Sequence, residues 1–164
     1  GMAWCRKGNV QQAQAMLNDL KSLENDASLK EQFETINPAI KGLGVMVSLL
    51  EGTIAWQNKQ MDAAIAAYQE AVKREDGFMY QEPRDWLLPT RHYLGAALLA
   101  RQNFADAELV YQTELVINPR NVWSLYGLHA SQLGLGKEAE SAQTKKHLMK
   151  ATEGADIKLK SSAL

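Results

Sequence analysis

The 164-residue sequence predicts an all-α protein built by stacking antiparallel helix pairs. Three observations predict it. Small residues recur at a 32-residue offset in the second half, Gly95 returning as Gly127 and Ala107 as Ala139; a fixed period of this size marks repeated supersecondary units. Apolar residues fall at helical spacing almost throughout. Gly and Pro are scarce within the periodic segments.

The elements follow in order. A first helix runs from about Ala3 to Leu23, broken near Gly8-Asn9, with Val10, Ala13, Leu17 and Leu20 on one face. Residues 24–35 are polar and read as a loop with one helical turn at most. Asn37-Pro38 predicts a helix start, Asn capping and Pro at the first helical position, where its missing N–H costs nothing. That helix extends to about Asn58, and its partner runs from Asp62 to about Glu75 with Ile65, Tyr68 and Val72 inward. An aromatic, turn-rich insert occupies 76–89. Helices follow at about Thr90–Arg101 and Phe104–Ile117, the second ended by Asn118-Pro119. Asn121 caps a helix over Val122–Leu133, and the last spans Lys137–Lys150. Residues 151–164 are small and polar, predicting a frayed tail.

Composition narrows the function classes. With 46% hydrophobic and 23% charged residues the chain is globular rather than disordered. The 18 basic and 19 acidic residues nearly cancel, so no electrostatic footprint for nucleic acid or an anionic membrane is expected. Cys5 is the only cysteine, which excludes an internal disulfide and a cysteine-built zinc site. The apolar run 36–56 is interrupted by Lys41 and Glu51 and reads as a buried helix, so no membrane insertion is expected. No secretory signal is visible, which favours a cytoplasmic location.

Antiparallel helix pairs with small residues at the crossing resemble tetratricopeptide repeats. The residues that carry the resemblance are Leu94-Gly95, Leu98, Ala107, Tyr111 and Pro119 in one copy. Trp123, Tyr126-Gly127, Ala130 and Ala139 form the next, and Gly52, Ala55, Ala64, Tyr68 and Ala71 an earlier one. Gly95 and Ala107 let two backbones approach while Leu98 and Tyr111 fill the space around them. The resemblance implies a right-handed superhelical α-solenoid: a half repeat at 2–24, repeats at about 38–75, 88–119 and 120–150, and the insert at 76–89. The run 80–99 is similar to a stretch in uncharacterised bacterial multi-repeat proteins of this family, in their C-terminal part. Two positions depart from the family pattern. Glu114 and Lys146 stand where a small residue is usual, which suits a terminal, capping repeat. The short first helix likewise predicts the C-terminal piece of a longer array.

In this family the first helix of each pair lines a concave groove that meets peptides. Carried onto this sequence, the groove positions are Leu49, Thr53, Trp56 and Gln57, then His92, Ala96, Leu99 and Ala100, then Ser124, Leu128, Ser131 and Gln132. The expected ligand is a peptide or protein, with Trp56 and Leu99 as anchors for an amphipathic helix. The groove lacks the Lys/Arg clamp that some members use for a terminal carboxylate. The alternative is that these residues are covered by the chain itself.

The insert offers Tyr80, Glu82, Trp86 and Arg91 as contact candidates, among Phe78, Arg84, Asp85, His92 and Tyr93. Aromatics beside arginine make interaction hot spots, and equally make a folded loop that plugs a gap between helix pairs. Self-association is a further possibility. The incomplete first pair leaves Trp4, Met16, Leu17 and Leu20 with less cover, to be closed by a second copy or by Leu29, Phe33 and Ile36 folding back.

Catalysis has little support. Glu75, Asp76, Glu82 and Asp85 with His92 could supply acid–base chemistry, but no nucleophile sits beside a base. His92, His129 and His147 are too far apart for a local metal motif. The expectation is a non-catalytic protein–protein interaction module without metal or cofactor. A structural cap of a longer array is the first alternative, and an enzyme built on 76–93 the second.

Overall fold

The computed structural model describes residues 1–31, 36–80, 82, 84–156 and 158–163. Eight α-helices and no strand occur among them: α1 (Met2–Arg6), α2 (Val10–Ser22), α3 (Ala39–Gln57), α4 (Met61–Asp76), α5 (Thr90–Ala100), α6 (Phe104–Ile117), α7 (Val122–Gly134) and α8 (Glu138–Ala151). The chain divides into two compact units, Gly1–Thr90 and Arg91–Leu164.

In the first unit Gly8 ends α1 at φ 74°, a conformation that suits glycine. Asn9 then caps α2, its side-chain oxygen accepting from the Gln12 N–H at 3.1 Å. Cys5, Ala13 and Leu17 from this hairpin close on Leu43, Val47, Leu50 and Ile54 of α3 to form the core. The polar segment after α2 contains two short 3-10 turns, Leu23–Asn25 and Ala27–Lys30. Leu29 of the second turn packs on that core, half-buried together with Met16 and Leu20. Ile36 stays exposed, and Phe33 lies outside the described residues.

The start of α3 differs from its sequence reading. Pro38, with φ −66° and ψ 147°, is itself the N-cap. The Asn37 side chain turns away to serve the insert, where it donates to the Met79 carbonyl at 2.7 Å and to Asp85 Oδ2 at 2.6 Å, and accepts from the Met79 N–H at 2.9 Å. A capping side chain satisfies one helix N–H. Here the same amide pairs both polar groups of a backbone that turns beneath the helix, a larger demand in a site only 5% exposed. Lys41 adds a bond to the Gly77 carbonyl at 2.8 Å.

By length and composition α3 is apolar enough to cross a membrane. In this fold Leu43, Val45, Val47, Leu49, Leu50 and Ile54 are buried, and the helix packs on α2 and α4. The pairing with α4 turns on Gly52: a Cβ there would lie 2.5 Å from the Tyr68 ring, so only glycine lets the ring seat.

The second unit repeats this device more tightly. Tyr111 of α6, fully buried, takes the space that a Cβ would fill at Gly95 of α5 and at Gly127 of α7; an added carbon at either position would overlap its ring. Ala97 and Ala107 of the same helices are also fully buried. Phe104 fills the corresponding space at Gly134. Lys137 ties the start of α8 to α6 through Glu108 at 2.6 Å.

The last pair is built differently from the copy the sequence suggests. Ala139 is exposed, and the α7–α8 contact is polar. Ser141 Oγ meets His129 Nδ1 at 2.7 Å, and Thr144 donates to Gln132 Oε1 at 2.8 Å. Hydrogen bonds between buried side chains fix the rotation of α8 here, and they turn Ser141 and Thr144 inward instead of Ala139.

Candidate interaction site

The residues expected to line a groove are sorted by burial into two groups. On α3, Leu49 is buried, Thr53 and Trp56 are half-buried and Gln57 is exposed. Thr53 is a packing residue as much as a surface one: its hydroxyl donates to the Leu49 carbonyl at 2.7 Å and accepts from the Tyr68 hydroxyl at 3.3 Å. Trp56 and Gln57, on the last turn of the helix, are the accessible members of this set.

On α5 and α7 of the second unit most of the set is buried. His92, Ser124, Leu128, Ser131 and Gln132 are each at most 8% exposed. His92 Nε2 and Ser124 Oγ share a hydrogen bond of 2.9 Å, which joins the first turns of the two helices. The His92 ring also lies 6.3 Å from that of Trp123. Burial pulls the His92 pKa down to about 4, opposed by a hydrogen bond that the ring makes to Asn121, so the imidazole is neutral at ordinary pH. Asn121 meanwhile caps α7, accepting from the N–H groups of Trp123 and Ser124, both at 3.1 Å. Ser131 bonds its own helix at the Leu128 carbonyl, 2.8 Å away. These side chains set the spacing of the helices. Leu99, half-buried, and Ala100, exposed, stay accessible.

A feature that the sequence reading missed lies in the same unit. From the segment expected to fray, Ser162 is buried and its hydroxyl is hydrogen-bonded to the Tyr111 hydroxyl. Tyr126 donates to the Lys160 carbonyl at 3.3 Å. A non-helical stretch of polypeptide thus lies on this unit, held through tyrosine hydroxyls. The sequence signal was indirect: a tyrosine expected to fill a helix crossing has a phenol that needs a partner once buried.

The insert is bound to the first unit. Besides the Asn37 contacts, Glu75 Oε2 accepts from both the N–H and the hydroxyl of Thr90, at 2.8 and 2.5 Å, which closes the far end. Tyr80 is 71% exposed and hydrogen-bonded to Glu82, a contact that raises its pKa. Trp86 donates to the Leu88 carbonyl at 2.5 Å. Arg91 is buried. Tyr80 and Glu82 therefore face solvent, whereas Trp86 and Arg91 are held by the fold. Glu75, expected as an acid–base group, is engaged at Thr90, and Asp85 at Asn37. No cluster of three metal-ligating side chains occurs among the described residues.

No family model and no curated protein matches the sequence. Among solved structures the chain is similar to the MamA protein, a tetratricopeptide-repeat protein, with a TM-score of 0.56 and 17% identity over 94% of this chain and 80% of that one. The likeness is one of fold. With the helix pairs and glycine–tyrosine crossings described above, the chain has a tetratricopeptide-like all-α fold.

Proposed function

We propose that this chain is a non-catalytic binding module for a peptide or protein partner. Each unit contributes its own contacts: in the first, the accessible Trp56 and Gln57 on α3; in the second, Leu99 and Ala100 on α5, in a unit whose helices are fixed by His92, Ser124, Leu128, Ser131 and Gln132. One observation carries the reading: a non-helical polypeptide segment, 158–163, already lies on the second unit through Tyr111 and Tyr126. Helix pairs locked by wedged tyrosines and buried hydrogen bonds offer a surface that needs little ordering on binding.

The test is affinity capture from the source lysate, with the intact chain beside a Trp56→Ala/Leu99→Ala variant of unchanged circular dichroism. Proteins held by the first and lost from the second support the reading; identical captures overturn it. A second reading, that the chain caps a longer stack, draws on α8. Its outer positions Glu140, Gln143, Lys145 and Lys146 are all exposed and polar, as a terminal repeat requires.

A further inference from the structure

The second unit contains an open cavity of about 820 Å³, lined by Leu115, Pro119, Arg120, Leu125, His147, Lys150 and Ala151. Its position follows from the fold. The end of α6 and the turn at 118–121 form one wall, Leu125 of α7 the floor, and the last turns of α8 the other wall. His147 and Lys150 stand three residues apart on α8, so they share a face, and Arg120 comes from the opposite side. Leu125 is buried and Leu115 half-buried, giving an apolar floor beneath a cationic rim. Among the described residues that line it, none is acidic. Among the described residues, neither Arg120 nor Lys150 has a carboxylate within ion-pair distance.

The contrast with a smaller cavity in the first unit, about 280 Å³, is informative. Lys41, Lys73 and Arg74 line that one, but two of its cations are already engaged. Arg74 is paired with Glu70 at 2.8 Å and bonded to the Gly44 carbonyl, and Lys41 is bonded to Asn37 and Gly77.

We infer that the larger cavity is a second contact site and that it takes an acidic peptide segment of the partner. A leucine-sized side chain would sit on Leu115 and Leu125, and neighbouring glutamate or aspartate carboxylates would meet Arg120 and Lys150. The choice of a peptide rests on the binding-module reading above; the choice of an acidic one rests on the cavity alone. A lysine in the last turn of α8 also offsets the helix dipole, but that role would leave peptide affinity unchanged when the lysine is replaced.

The experiment is fluorescence anisotropy of the full chain with a labelled, end-capped short peptide of alternating leucine and glutamate. The controls are the same peptide with glutamine for glutamate, and octanoate as a small carboxylate with an apolar tail. Arg120 sits at φ 63°, where glycine is at ease, so Arg120→Gly removes the charge without straining the turn. Lys150→Gln removes the other. The expected result is binding of the glutamate peptide about tenfold tighter than the glutamine peptide at low salt. The Arg120→Gly/Lys150→Gln pair should lose most of that difference, as should high salt. Equal affinity for both peptides, unchanged affinity in the double variant, or binding of octanoate without the peptide overturns the proposal. The Trp56→Ala/Leu99→Ala variant should bind the glutamate peptide as the parent does, so failure here and failure of the capture experiment are distinguishable.

Discussion

The hydroxyls of Tyr111 and Ser162, 51 residues apart in sequence, are hydrogen-bonded to one another inside the second unit. Tyr111 cannot reach water through its own helix, because Gly95 and Gly127 close on both sides of its ring. Its hydroxyl is paired with the returning C-terminal segment instead. Burial raises the Tyr111 pKa above that of a free tyrosine, so the phenol stays protonated. Removing the pair should free the segment. Ser162→Ala or Tyr111→Phe is expected to cost about 1 kcal/mol and to speed tryptic cleavage at Lys158 and Lys160, read by mass spectrometry of short digests. Unchanged cleavage in both variants would show that the bond does not hold the segment.

The glycines should divide sharply by position. Gly127→Ala drives a Cβ into the Tyr111 ring and Gly52→Ala places one 2.5 Å from the Tyr68 ring, so each should lower stability by about 1–3 kcal/mol or more as the ring is forced aside. At Gly42, also in a helix, an added Cβ would meet nothing within 4 Å, and Gly42→Ala should stabilise by up to about 1 kcal/mol through helix propensity. Thermal unfolding of the three variants checks the order.

Acid should weaken the fold through His92. Its pKa of about 4 lies below the ordinary 6.5, so between these values the unfolded chain binds a proton that the folded chain refuses. The stability associated with the neutral ring is complete above pH 6.5 and is lost as pH falls toward 4, on the order of 3 kcal/mol in all. Denaturant midpoints at about pH 7.5, 5.5 and 4.5 should fall in the parent chain. In His92→Gln they should fall less steeply, from a lower starting value. Parallel curves for the two proteins would remove His92 as the cause.

Asn37 should govern the insert. Asn37→Ala deletes three bonds to Met79 and Asp85 and is expected to cost about 2 kcal/mol. Hydrogen exchange at 78–80 should quicken while α7 and α8 keep their protection. If protection is lost evenly through the chain, the side chain serves the whole fold rather than the insert.

Most of the helical architecture was legible in the chain because it depends on short-range signals. Helical spacing, the break at Gly8-Asn9, the stop at Asn118-Pro119 and the Asn121 cap put the helices within a residue or two of their places. The small residues at 52, 95 and 127 likewise announced close crossings. The candidate site was less legible. The groove positions were chosen by their place on a helix, which says where a side chain can point but not what else in the unit meets it; hence His92, Ser124, Ser131 and Gln132 proved to be buried hydrogen-bonding groups.

What the sequence determined by itself was the helices, their pairing and the small residues at the crossings, since periodicity and residue size act within a few turns of chain. That the Tyr68 and Tyr111 rings fill the space a Cβ would take at Gly52, Gly95 and Gly127 came from the structure. Only the tertiary structure decided that Asn37 serves the insert, that Ser141 and Thr144 rather than Ala139 face α7, and that Ser162 returns to Tyr111. It alone gathered Arg120, His147 and Lys150 around one cavity. Each of these is a polar group whose partner lies far away in sequence, and a hydrogen bond or a shared field carries no periodic mark along the chain.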